Sequence, residues 1–122
     1  MFHALCEICA DAFIGVPHRD RCERAWRQTY RAVNHGFAKN ACVMCATPKY
    51  NFPQSVQDFA TLFMSMQELR HKADYDPSMR FNKADVLSYI GSAKSAIDDL
   101  SNVSARHKGA FAAMMLLGHR KD

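Results

Sequence analysis

At 122 residues, with 48% apolar and 23% charged side chains, the chain is one domain with enough surface to bury a real core. No run reaches the ~18 apolar residues of a membrane span, and Glu7 and Asp11 interrupt the opening apolar stretch, so no signal peptide is read and a cytosolic location is the default. The net charge of +4 is too small to argue for nucleic acid by itself, and five cysteines without a secretion signal argue against a disulfide framework.

The predicted elements are helices throughout. Residues 2–14 place Phe2, Leu5, Cys9, Ala12 and Phe13 on one face by spacings of three and four. This helix starts at the first residue without a capping side chain, which suggests a missing N-terminal turn. Gly15 is a plausible C-terminal stop, and Pro17 prevents resumption. Residues 20–45 form a second, longer helical stretch. Asp20 is its expected N-cap, with Glu23 as the capping-box partner. Trp26, Tyr30, Val33, Phe37 and Ala41 form its apolar stripe, and Gly36 is where a bend or break is expected.

Residues 46–53 read as a loop bounded by prolines, with Asn51 near a cap position and Pro53 in the first turn of the next helix. That helix, 53–72, carries Val56, Phe59, Leu62, Phe63, Met66, Leu69 and Ala73, an apolar face wide enough for a central position in a bundle. Pro77 ends it and pushes Asp76 out of helical geometry. We expect the other helices to pack around its last part, Gln67 to Pro77. Asn82 and Asp85 form a capping box for a fourth helix with the face Val86, Ile90, Ala93, Ile97 and Leu100, which ends at Ser101 and Asn102. Ser104 caps a last helix carrying Phe111, Met114, Met115 and Leu117, closed by Gly118, and the tail from His119 to Asp122 is expected to fray. No strand pattern is found. The expected fold is all-α: a single-domain up-and-down bundle of four or five helices.

Three constellations carry candidate chemistry. Cys6, Cys9, Cys42 and Cys45 form two CxxC pairs, the ligand set of a structural zinc site. Both pairs lie in apolar helical stretches, where a spacing of three also places small apolar residues on a core face. We prefer the core reading, with a zinc-binding adaptor as the alternative. Arg24, Arg27, Arg31 and His35 fall on one helical stripe, which offers phosphate contacts with Trp26 or Tyr30 nearby for stacking. The competing account is a solvated face paired to acids such as Glu68 or Asp74. Third, Arg70 and Asp74 sit four apart beside Tyr75, which suggests a partly buried ion pair with a core-edge aromatic, or a polar cluster at a dimer seam or phosphate pocket. His71 and Lys72 are expected to face solvent.

The opening Met1-Phe2-His3-Ala4, the segment Tyr30-Arg31-Ala32-Val33-Asn34-His35-Gly36 and the segment Leu69-Arg70-x-x-Ala73-Asp74-Tyr75 together resemble the HEPN (higher eukaryotes and prokaryotes nucleotide-binding) family. The opening is similar to the end of a Tyr-Tyr-Ala-Met-Phe-His first helix in one bacterial branch, and the order of the three segments covers most of the chain. The resemblance implies a helical bundle that dimerises and either binds nucleotide, RNA or a partner protein or acts as a ribonuclease of a toxin–antitoxin or defence system, often beside a nucleotidyltransferase partner. It implies no cofactor. The ribonuclease branch carries arginine, four to six residues, then histidine, and none of the six histidines here has an arginine at that spacing. Arg70 matches the family's arginine, and Asp74 stands where a relative has histidine. Tyr75 lies near a tyrosine that partners nucleotidylate in some family toxins. The expected site is a polar cleft lined by Arg31, His35, Arg70 and Asp74 in a homodimeric binding module. The alternative is a metal-independent ribonuclease using Arg70 with His35 or His71 as acid or base.

Overall fold

The computed structural model describes residues 1–17, 20–78, 80 and 82–117. These form six α-helices and one short 3-10 turn, with no strand among the described residues: α1 (Phe2–Ile14), α2 (Glu23–Ala32), α3 (His35–Ala46), a 3-10 turn (Pro48–Tyr50), α4 (Gln54–Tyr75), α5 (Lys83–Ser101) and α6 (Ala105–Leu116). The all-α bundle is as expected, but with six helices rather than four or five. The expected cap at Gly118 and the tail 119–122 lie outside the described residues.

The extra helix comes from a break in the predicted 20–45 stretch. It falls at Val33 and Asn34, before Gly36. Val33 is extended and buried at 5% exposure, and Asn34 caps α3 by accepting a hydrogen bond from the Phe37 N–H at 3.0 Å. An asparagine that satisfies an unpaired helix N–H stabilises a new start there. The Asp20 cap is also corrected. Helix α2 begins at Glu23 with Cys22 at the cap position, and the Glu23 carboxylate accepts from Arg21 instead of closing a capping box.

Other helix ends follow local chemistry. Gly15 ends α1 at φ 125°, a backbone region that a side chain would strain. Asn82 accepts from the Asp85 N–H at 2.8 Å, and Ser104 accepts from the His107 N–H at 3.3 Å. Asp76 is extended before Pro77. The loop after α3 is more ordered than expected: Pro48 starts the 3-10 turn, and Asn51 ends it in the left-handed region.

Helix α3 packs on α4 and α6, α1 packs on α2 and α6, and α5 packs on α4. The core between them contains Leu5, Val56, Phe59, Phe63, Leu100, Phe111 and Met115, each at most 2% exposed. Phe59 meets Phe111 edge-on, with ring centroids 6.0 Å apart and planes at 88°, the favourable aromatic geometry. Cys6, Cys9, Cys42 and Cys45 lie in the same core as free thiols.

The apolar face of α4 is buried only over its first half. Burial ends at Phe63; Met66 and Leu69 are half-covered, and residues 70–78 are all exposed. The expectation that Gln67 to Pro77 is the packing centre is therefore corrected. The end of α4 is exposed and forms a wall rather than a hub. The same holds at the start of α5, where Val86, Leu87 and Ile90 are exposed while Ala96 and Leu100 are buried.

Candidate functional site

Helices α1 and α2 are held together by a polar cluster that also orients the arginine-bearing face of α2. The Trp26 indole N–H donates to Asp11 at 2.9 Å. Arg21 donates to Glu23 at 2.6 Å and to the Gly15 carbonyl at 3.2 Å, pairs with Asp11 at 3.5 Å, and lies 4.6 Å from the Trp26 ring centre. The Arg21 hydrogen bond pulls the Glu23 carboxyl below its ordinary range. Trp26 is thus committed to α1. Tyr30 shares a 2.9 Å hydrogen bond with His3, also on α1. Neither aromatic faces Arg24, Arg27 and Arg31, so the expected stacking partners are absent from that face.

The expected four-residue stripe is divided. Arg24, Arg27 and Arg31 lie together with Gln28 and Ala32 on one exposed face of α2. His35 lies on α3, because the break at Val33 and Asn34 starts a new helix between Arg31 and His35. The predicted cleft keeps His35, Arg70 and Asp74 and loses Arg31.

That cleft is open, with a volume of about 610 Å³, and lies between the start of α3 and the end of α4. His35, Gly36 and Lys39 form one wall; Gln67, Glu68, Arg70, His71, Asp74 and Tyr75 form the other. Helical spacing explains both. His35 and Lys39 are four apart, and Gln67, Arg70, His71 and Asp74 fall at i, i+3, i+4 and i+7 on one face.

His35 is the most constrained side chain of the site. Its ring stacks on Phe2 of α1 at 3.6 Å between centroids and 14° between planes. Its Nδ1 lies 3.2 Å from the side-chain amide nitrogen of Gln67. On the other wall, His71 and Tyr75 bring their rings to 4.6 Å, and Tyr75 is 76% exposed.

Two expectations are corrected here. Arg70 and Asp74 form no ion pair among the described residues, and both are exposed. Beyond the covered half of α4, water solvates both charges, and holding two flexible side chains together gains little. Tyr75 is an exposed aromatic rather than a core-edge one. His71 does face solvent, but on the cleft side. Lys39, Gln67 and Glu68 join the cleft although the sequence reading did not place them among the site residues; the i+4 spacing from His35 and the i−3 spacing of Gln67 from Arg70 were the available signals.

The four core cysteines are each at most 2% exposed. Burial, with the neighbouring thiols Cys6 and Cys45, pushes the Cys9 thiol up to about 12. Burial also pushes Cys42 and Cys45 up to about 12 and raises Cys6. Zinc binds thiolates, so binding here would have to overcome that shift. No three His, Cys, Asp or Glu side chains among the described residues are grouped as a metal site.

No helix among the described residues is long and apolar enough to cross a membrane. Compared with protein-family models, curated proteins and solved structures, the chain matches none of them.

Proposed function

We propose that this chain is a HEPN-like dimeric binding module whose α3–α4 cleft accepts a phosphate-bearing ligand, a nucleotide or the backbone of RNA. The observation that carries this reading is the convergence of His35, Lys39, Arg70 and His71 beside the exposed ring of Tyr75 in one open cleft. A guanidinium offers a planar fork that matches phosphate oxygens, and an ammonium adds a point charge. An exposed tyrosine offers a base a stacking surface without reading its sequence. Glu68 and Asp74 on the same wall give the cleft mixed charge, which suits hydrogen bonds to a ribose or base as well as to phosphate.

Dimerisation is supported by the exposed apolar side chains of Val86, Leu87 and Ile90 on α5. Titration with adenosine monophosphate tests the cleft. Arg70→Ala is expected to weaken binding at least about tenfold, the loss of one charged hydrogen-bonding group. Equal affinity in the variant would remove the cleft from the proposal. Sedimentation tests the dimer, which Ile90→Glu is expected to dissociate.

A second reading, a metal-independent ribonuclease, is favoured by the presence of two imidazoles and Arg70 on the same cleft. One histidine would take the proton of an RNA 2′-hydroxyl as it attacks the adjacent phosphorus. The other would protonate the departing 5′-oxygen, and Arg70 would stabilise the charge on the phosphoryl oxygens. RNA cleavage lost in each of His35→Ala, His71→Ala and Arg70→Ala would select this reading over binding alone.

A further inference from the structure

We propose that the exposed ridge Arg24, Arg27 and Arg31 on α2 is a second, separate anion site that grips the phosphate backbone of a nucleic-acid strand independently of sequence. It shares no lining residue with the cleft. All three arginines are exposed, and none makes a hydrogen bond or ion pair among the described residues. Glu23, the acid of the same helix, is held by Arg21 through two hydrogen bonds of 2.6 and 3.4 Å. Arg21 is spent on the fold and on Glu23, whose carboxylate also feels the Arg27 charge, and Arg24, Arg27 and Arg31 stay exposed on α2.

Their spacing suits a polyanion. At about 1.5 Å of rise per residue the ridge spans about 10.5 Å, a length over which a duplex presents about six phosphates, roughly three per strand. The ridge is completed by Gln28 and Ala32 and contains no aromatic. Without a stacking ring it offers a base no π-surface, and phosphate contact is what its side chains supply. Arginine clusters also take acidic peptides, but the regular phosphate spacing of a nucleic-acid strand matches three guanidinia in register on one helix, each a planar fork for phosphate oxygens.

The ridge also lies next to the cleft along the chain. Arg31 ends it four residues before His35, no more than about 14 Å of backbone. A strand held on the ridge is within that chain distance of the cleft, and the preferred cleft ligand becomes a polymer rather than a free nucleotide. That last step rests on the cleft reading; the ridge itself does not.

The test is fluorescence anisotropy of the full chain with labelled random-sequence duplex RNA, single-stranded RNA and duplex DNA, measured as a function of salt. Three phosphate contacts contribute a slope of about −2.7 in log affinity against log salt for a duplex, an affinity loss of about 40-fold between about 50 and 200 mM. The triple variant Arg24→Gln, Arg27→Gln, Arg31→Gln is expected to remove that part of the slope for all three probes. It should keep its helical circular dichroism, since the residues are exposed, and its adenosine monophosphate affinity. The matching triple lysine variant is expected to keep most of the slope. Arg70→Ala is expected to lose the mononucleotide while keeping the ridge's share of the slope; if only that loss is missing, the cleft reading fails and the ridge stands. An unchanged slope in the glutamine variant, or a poly-glutamate peptide binding as tightly as the duplex with the same slope, overturns the proposal.

Discussion

The side-chain amide of Gln67 on α4 donates to His35 Nδ1 on α3 across 3.2 Å, a hydrogen bond that ties the two walls of the cleft together. An amide nitrogen has no acceptor lone pair, so Nδ1 must accept. In the neutral ring the proton then sits on Nε2, the nitrogen left for a ligand. Phe2 fixes the ring plane from the other side. Nitrogen-15 spectra of the imidazole are expected to show the Nε2–H tautomer, and Gln67→Leu is expected to give a mixture. The same tautomer population in both proteins would break the link between Gln67 and the donor presented by His35.

Asp11 joins α1 to α2 by accepting from Trp26 and pairing with Arg21. Asp11→Ala leaves a half-buried indole N–H without its acceptor. Thermal or urea unfolding is expected to show a loss of about 1–3 kcal/mol. Trp26 emission should shift to the red as the indole becomes wetter, and an unshifted spectrum would show that the indole is held by other contacts.

The thiols make a sharper test of the core. A thiol reagent added to native protein is expected to label Cys22, the exposed cysteine, quickly and the four buried ones only after unfolding. Slow labelling follows from access and from the scarcity of thiolate, the nucleophilic form. The raised values also set a pH dependence. A thiol that ionises near 9.0 when unfolded and about 12 when folded keeps its proton longer in the folded state. Its stabilising share is complete below pH 9.0, falls as pH rises, and is gone above about 12. Each of Cys9, Cys42 and Cys45 contributes a slope of about 1.4 kcal/mol per pH unit in that window. Urea midpoints measured above pH 9 should therefore decline faster than in the variant with Cys9, Cys42 and Cys45 replaced by alanine.

Phe59 and Leu87 separate packed from unpacked apolar positions. Phe59 is 0% exposed and Leu87 is 57% exposed. Phe59→Ala is expected to cost about 3–5 kcal/mol in a urea unfolding curve, through lost burial and the cavity left behind. Leu87→Ser is expected to stay within about 0.5 kcal/mol in dilute protein. A large loss at Leu87 that grows with protein concentration would mean that its face is covered by a second copy.

Much of the local structure was legible because it depends on near neighbours. Asn82 and Ser104 cap the helices expected of them, Gly15 ends α1, and Pro77 ends α4 one residue after Asp76. The break at Asn34 was misplaced to Gly36 because glycine has the weaker helix propensity. The asparagine side chain competes more strongly by capping the Phe37 N–H.

From the sequence alone came the all-α class, most helix boundaries, the preference for core positions at Cys6, Cys9, Cys42 and Cys45, and the pairing of His35 with Arg70 as candidate site residues. These follow from periodicity and capping, which act over a turn or two of helix. Tertiary structure decided which apolar faces are covered. The stripe on α4 continues to Ala73, yet full burial stops at Phe63. It also decided which charged residues share a surface. A two-residue break between α2 and α3 sends Arg31 to a ridge and His35 to a cleft, although the two fall on one stripe of an unbroken helix. A helical period predicts neighbours only while the helix continues, and where it stops depends on what the next segment packs against.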